Sequence, residues 1–122
     1  MQRLVQATTP RARFLVKFGQ AMKALPVADV AYFLAEEGVV FLVTHQGKRF
    51  IVPDTLDQLE TQLEPQNFFR INRQLILGIG AVQEIRPYFK GRLTLQVAPP
   101  IAGEQPVVSA GRAPAFKLWL DS

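Results

Sequence analysis

The chain has 122 residues, 48% hydrophobic and 20% charged, which is enough apolar material for one core and too much for a disordered segment. Fourteen Lys and Arg against ten Asp and Glu leave +4 at pH 7, a basic balance that permits a polyanionic partner without requiring one. With no cysteine and a single histidine, His45, the composition excludes disulfides, thiolate zinc sites, thiol nucleophiles and multi-histidine metal centres. The longest apolar run, Leu75 to Val82, is eight residues with two glycines, far short of a membrane span. The opening residues lack the apolar stretch of a secretory signal. A soluble, cytoplasmic domain without a cofactor is the expectation.

Residues 1–12 have neither helical nor strand periodicity and read as a lead-in, with the domain running over 13–122. Phe14 to Phe18 is rich in β-formers and stops at Gly19-Gln20; Met22 to Leu25 follows, and Pro26 with Asp29 marks a turn. Ala31 to Ala35 runs into Glu36-Glu37-Gly38. Val39 to Thr44 ends at His45-Gln46-Gly47-Lys48, and Arg49 to Val52 comes next. Short apolar runs bounded by turn residues predict antiparallel strands in a meander. They are continuously apolar rather than alternating, which implies strands covered on both faces or a twisted sheet with little open surface.

A helix is predicted from about 55 to 63. Thr55 and Gln58 stand at capping-box spacing, Leu56, Leu59 and Leu63 form one stripe, and Pro65 ends the segment. Asp54, Asp57, Glu60 and Glu64 make the other face wholly acidic, a face expected to point away from any nucleic acid. After the helix the balance reverses. Between Gln66 and Pro100 stand Arg70, Arg73, Arg86, Lys90 and Arg92 against the single acid Glu84. Val82 to Tyr88 and Arg92 to Val97 read as strands joined by Phe89-Lys90-Gly91. The proline-rich stretch Ala98 to Pro106 reads as a loop. Val107 to Ser109 is a last short strand, and Ala113 to Leu120 a closing helix with Pro114 in its first turn.

No phosphate-binding loop is present, and Gly78-Ile79-Gly80 reads as a close backbone approach. Glu36-Glu37 reads as solvated surface and His45 as an exposed turn residue, so catalysis finds no support. The informative stretch is Phe68-Phe69-Arg70-Ile71-Asn72-Arg73-Gln74-Leu75. Its apolar members can anchor a core while Asn72, Arg73 and Gln74 project from a short connection. Arginine suits guanine edges and side-chain amides suit adenine. Arg70, Lys90 and Arg92 suit phosphate contact. The competing reading is that these are solvated side chains or pair with nearby acids.

The order of these pieces resembles the LytTR domain, the DNA-binding output module of LytR/AlgR-type bacterial response regulators. The resemblance is carried by Val27 to Glu36, Gly47-Lys48-Arg49-Phe50, Thr55 to Glu60, Phe68 to Gln74, Val107-Val108-Ser109 and Ala115 to Leu120. It implies a mainly β, elongated fold of small antiparallel sheets with one or two short helices, about 55–63 and 113–120. It also implies double-stranded DNA as partner, read by loops in successive major grooves, with a homodimer on promoter direct repeats. Transcription regulation in two-component signalling follows, with an N-terminal receiver domain in a longer protein and a cognate histidine kinase. Three places are implied to meet DNA: the turn holding Glu37 and Gly38, the segment around Asn72-Arg73-Gln74, and the loop after Ser109. Family members carry an arginine directly after that serine. Here Ala110-Gly111 intervene, so either Arg112 substitutes from a shifted loop or the third contact is weakened. Glu37 would repel phosphates unless it accepts from a cytosine amino group. Gly78 replaces the asparagine often found after the aliphatic run. The alternative is a β-rich protein-interaction or ligand-sensing module that keeps this fold without binding DNA.

Overall fold

The computed structural model describes residues 9–122. Its centre is a five-stranded antiparallel sheet in the order β5-β4-β3-β7-β6, formed by β3 (Val30–Glu36), β4 (Val39–Thr44), β5 (Arg49–Val52), β6 (Phe68–Asn72) and β7 (Leu75–Gly78). Consecutive positions on these strands feed different cores. Tyr32, Val43, Leu75 and Leu77 point into one cluster, whereas Phe33, Leu42 and Ile76 point into another. Covering on both faces is therefore the correct account of the unbroken apolar runs: a two-sided sheet has no polar face to write into its sequence.

On one side lie a hairpin of β1 (Arg13–Phe18) and β2 (Ala21–Pro26) and the helix α1 (Leu56–Gln62). Phe33 sits between Phe14 and Phe68, with ring centroids 5.2 and 6.1 Å away. The Thr55–Gln58 capping box is formed: the Gln58 amide donates to Thr55 Oγ1 and the Thr55 amide to Gln58 Oε1. On the other side lie a three-stranded sheet, ordered β10-β9-β8, and the helix α2 (Ala113–Leu120). Its strands are β8 (Val82–Pro87), β9 (Leu93–Val97) and β10 (Val107–Val108). Phe69, Phe116 and Trp119 form an aromatic cluster there, and the Trp119 indole donates to the carbonyls of Pro65 and Gln66. The Tyr32 hydroxyl donates to Pro99 O at 2.8 Å, tying the central sheet to the loop after β9.

The strands do not follow one another in a single meander. β1 and β2 form a sheet of their own, and β7 rather than β2 lies beside β3. Gly78 makes that neighbourhood possible. A Cβ at this position would stand 2.8 Å from Ala31 O and 3.2 Å from Val30 O. Residues 1–8 of the expected lead-in lie outside the described residues. Within residues 9–12, Arg11 is anchored to the domain: its guanidinium pairs with Asp54 and Gln62 and stacks 3.9 Å over the Phe14 ring.

Candidate nucleic-acid interface

Antiparallel register decides which turns share an end of the molecule. β3 and β4 close through Glu37-Gly38, because Glu36 pairs with Val39. Both residues have positive φ, 51° and 80°, as a two-residue hairpin turn of the twist-matching kind requires. β6 and β7 close through Arg73-Gln74, because Asn72 pairs with Leu75. Leu34 pairs with Leu75, and the Ala35 amide donates to Gln74 O at 2.8 Å. The two turns therefore stand side by side. His45 and Gln46, in the turn after β4, lie at the opposite end of that strand and are exposed.

The Arg73-Gln74 turn is built from the residues around it. A β-bulge at Ile71 shifts the register between Arg70 and Asn72, with the Ile71 side chain fully buried. The Asn72 side chain is used at both ends. Its Oδ1 accepts from the Gln74 amide at 2.8 Å, and its Nδ2 donates to Val107 O at 3.0 Å, joining the turn to β10. Arg70 folds back under the turn: Nε donates to Asn72 O at 3.1 Å and Nη2 to Arg73 O at 3.0 Å. Its Nη1 meets the carboxylates of Asp57 and Glu60 on α1, the latter at 3.2 Å. Burial opposes its charge, yet the hydrogen bonds and charges of Asp57 and Glu60 outweigh that and hold its pKa above the ordinary value. The side chain of Arg70 is only 13% exposed.

Two expectations change in consequence. The acidic face of α1 does not stand apart from the candidate interface, since two of its carboxylates brace the turn through Arg70. Arg70 and Asn72, expected to face DNA, spend their polar groups inside the domain. The amphipathic stripe of α1 showed which face is buried, but a contact between residues 57 and 70 has no local signature.

Arg73 and Gln74 are exposed, and among the described residues their side-chain polar groups make no hydrogen bond or ion pair. Arg112, just ahead of α2, donates from Nη1 to Arg70 O at 2.8 Å, which brings the loop after Ser109 against the same turn. A cavity of about 490 Å³ separates Glu37, Asn72 and Gln74 from Glu104 and Gln105 in the proline-rich loop. Another of about 570 Å³ is lined by Gly38, Asp57, Arg70 and Arg73. Glu36 pairs with Arg49 at 3.1 Å, while Glu37 is exposed. All three places expected to meet DNA thus adjoin one another.

Lys90 and Arg92 sit at the tip of the β8–β9 hairpin. Lys90 is exposed; Arg92 lies 4.9 Å over the Tyr88 ring and donates from Nε to Phe89 O. The tip flanks the loop after Ser109, since a Cβ on Gly91 would come 3.7 Å from the Ala110 Cβ. Sequence reasoning passed over Tyr88 and Phe89, although two aromatics beside Lys-Gly in a turn are a visible signal.

A family model for the LytTr DNA-binding domain matches residues 20–121. The chain belongs to the LytTr DNA-binding domain family. It is 25% identical over 83 residues to the sensory transduction protein LytT of Bacillus subtilis (strain 168), a match covering 68% of this chain and 34% of that protein. It is 21% identical over 101 residues to an uncharacterized response regulatory protein of Vibrio cholerae serotype O1, covering 79% and 39% respectively. The chain thus spans between a third and two-fifths of the length of these curated relatives. A solved LytTr DNA-binding domain from Bacillus cereus superposes with a TM-score of 0.75 at 20% identity, over 92% of this chain and 99% of that one. That likeness establishes the LytTr fold, mainly β with small antiparallel sheets and two helices. No helix among the described residues is long and apolar enough to cross a membrane.

Proposed function

We propose that this LytTr domain binds double-stranded DNA sequence-specifically and acts in transcription regulation, without catalysis and without a cofactor. The observation that carries the reading is the Arg73-Gln74 turn. Its guanidinium and amide are presented to solvent while Arg70, Asn72 and Asp57 are consumed in holding the backbone beneath them. A free, rigidly based arginine is suited to the two acceptors of a guanine edge in the major groove, and Gln74 to the adjacent pair. Lys90, Arg92 and the remaining nitrogens of Arg112 serve phosphates, and Glu37 at the neighbouring turn accepts from a cytosine amino group. Arg70 and Asn72 become positioning residues.

The same reading takes residues 1–12 as a linker and 13–122 as the output domain of a longer cytoplasmic regulator. That regulator would carry a receiver domain answering to a histidine kinase and bind promoter repeats as a homodimer. The likeness to a sensory transduction protein and a response regulatory protein, each about twice as long as this chain, supports this.

The test is to select duplexes from a random library with the chain and measure anisotropy on the recovered site across a salt series. Arg73→Ala should lose about 1–3 kcal/mol and relax preference at one base pair, whereas Lys90→Ala should weaken all sequences alike and lower the salt slope by about one. The second reading, a protein-interaction or ligand-sensing module, draws on the internal use of Arg70, Asn72 and Arg112. Absence of any salt-sensitive duplex binding would favour it instead.

A further inference from the structure

The β8–β9 hairpin ends in an unusual tip. Phe89 is 69% exposed and Tyr88 42%, with their ring centroids 5.0 Å apart. The tip is stiff: the Tyr88 amide donates to Arg92 O at 2.8 Å, Arg92 stacks on the Tyr88 ring and bonds Phe89 O, and Lys90 is held at φ 56°. A left-handed lysine is sterically unfavourable, and such strain survives where the surrounding structure imposes it. Two rings are thus kept in water on a rigid point beside the cations Lys90 and Arg92, while Arg86, further down β8, pairs with Glu84 at 3.1 Å. The apolar area of two rings falls far below the roughly 800 Å² per partner of a stable protein interface. The flanking cations favour a polyanion. The tip also abuts Ala110, two residues from Arg112, which is itself bonded to the base of the Arg73 turn.

We infer that this tip is a second DNA-binding element. Phe89 wedges against a base step in the minor groove beside the major-groove segment met by Arg73, while Lys90 and Arg92 hold the flanking phosphates. Apolar side chains in the minor groove act by partly unstacking a step, most readily a flexible pyrimidine–purine one. The inference rests on the DNA-binding reading above, and its failure is separable from the failure of that reading.

The experiment uses a duplex of about 30 bp, three helical turns, recovered by the wild-type chain from a random library. It carries 2-aminopurine at successive positions outside the core site. With saturating wild-type chain the fluorescence should rise at one flanking step. Phe89→Ala should abolish that rise and bind roughly tenfold more weakly, with an unchanged thermal midpoint because the ring is exposed. Phe89→Trp should retain both, and Arg73→Ala, at saturation, should still give the rise. If the duplex is bound but Phe89→Ala matches wild type in affinity and fluorescence, the wedge is refuted while the DNA-binding reading stands. If no duplex is recovered, both fall. If Phe89→Ala instead loses self-association in sedimentation with DNA fluorescence unchanged, the tip is a contact for a second copy and the inference is overturned.

Discussion

Replacing Arg70 by lysine separates a brace from a phosphate contact, because it keeps the charge and removes the fork. The guanidinium joins two carboxylates of α1 to two carbonyls of the turn. An ammonium with three donors on one atom cannot reach all four. The side chains of Asp57 and Glu60 are 87% and 49% exposed, so each ion pair is worth only about 0.2–1 kcal/mol. The bonds to Asn72 O and Arg73 O come from a charged donor and add about 1 kcal/mol each after competition with water. A loss of about 2 kcal/mol in unfolding free energy is therefore expected, readable as a lower urea midpoint at unchanged slope. The turn must then be ordered on binding, which costs about 1–2 kcal/mol, or roughly tenfold in affinity for the selected duplex. Binding to random duplex should barely change, and neither should the salt slope, since no phosphate contact is lost. A lysine variant that binds the selected site like wild type, alongside Arg70→Ala losing about one unit of salt slope, would show that Arg70 grips a phosphate and would refute the brace.

Gly78→Ala should destabilise the domain by about 1–3 kcal/mol in urea unfolding, because its Cβ would meet the Ala31 carbonyl at 2.8 Å and backbone cannot swing aside. Phe33→Ala should cost about 3–5 kcal/mol, since the fully buried ring lies between Phe14 and Phe68. Burial raises the pKa of Tyr32 above its ordinary 10.0, only partly offset by Arg49. The folded state therefore holds this proton more tightly than the unfolded chain, and stability present below pH 10 should decline as pH rises past it. Tyr32→Phe should flatten that alkaline decline in a chemical-denaturation series, while losing the hydrogen bond to Pro99 O at every pH.

Much of this fold was legible because local chemistry and tertiary demand agree. Thr55 and Gln58 announce the start of α1, and Pro65 stops it. Glu37-Gly38 requires positive φ at two successive positions. The unbroken runs Ala31 to Ala35 and Val39 to Thr44 say that β3 and β4 are covered on both faces, although the edge strand β5 leaves Ile51 in water. Strand order was not legible: nothing in Leu75-Ile76-Leu77 says that β7 lies against β3, and the glycine that permits it reads equally as a turn. The candidate site was half legible. Residue types and turns located Arg73 and Gln74. The division of labour within Arg70 to Gln74 was hidden, because it depends on Asp57, Glu60 and Val107, each at least ten residues from its partner in sequence. Arg112 shows the same limit. Its displacement from Ser109 says nothing of its neighbours, and its bond to Arg70 O sets it beside the Arg73-Gln74 turn.

The most direct test of the account is a heteronuclear NMR titration of the labelled chain with its selected duplex. Shifts and broadening should centre on Gly38, the Arg73 guanidinium, Gln74, Lys90 and the segment from Ser109 to Arg112, leaving Leu15, Met22 and His45 at the far side unmoved. Perturbations centred instead on the β1–β2 hairpin or the His45 turn, with the Arg73 resonances unchanged, would contradict it.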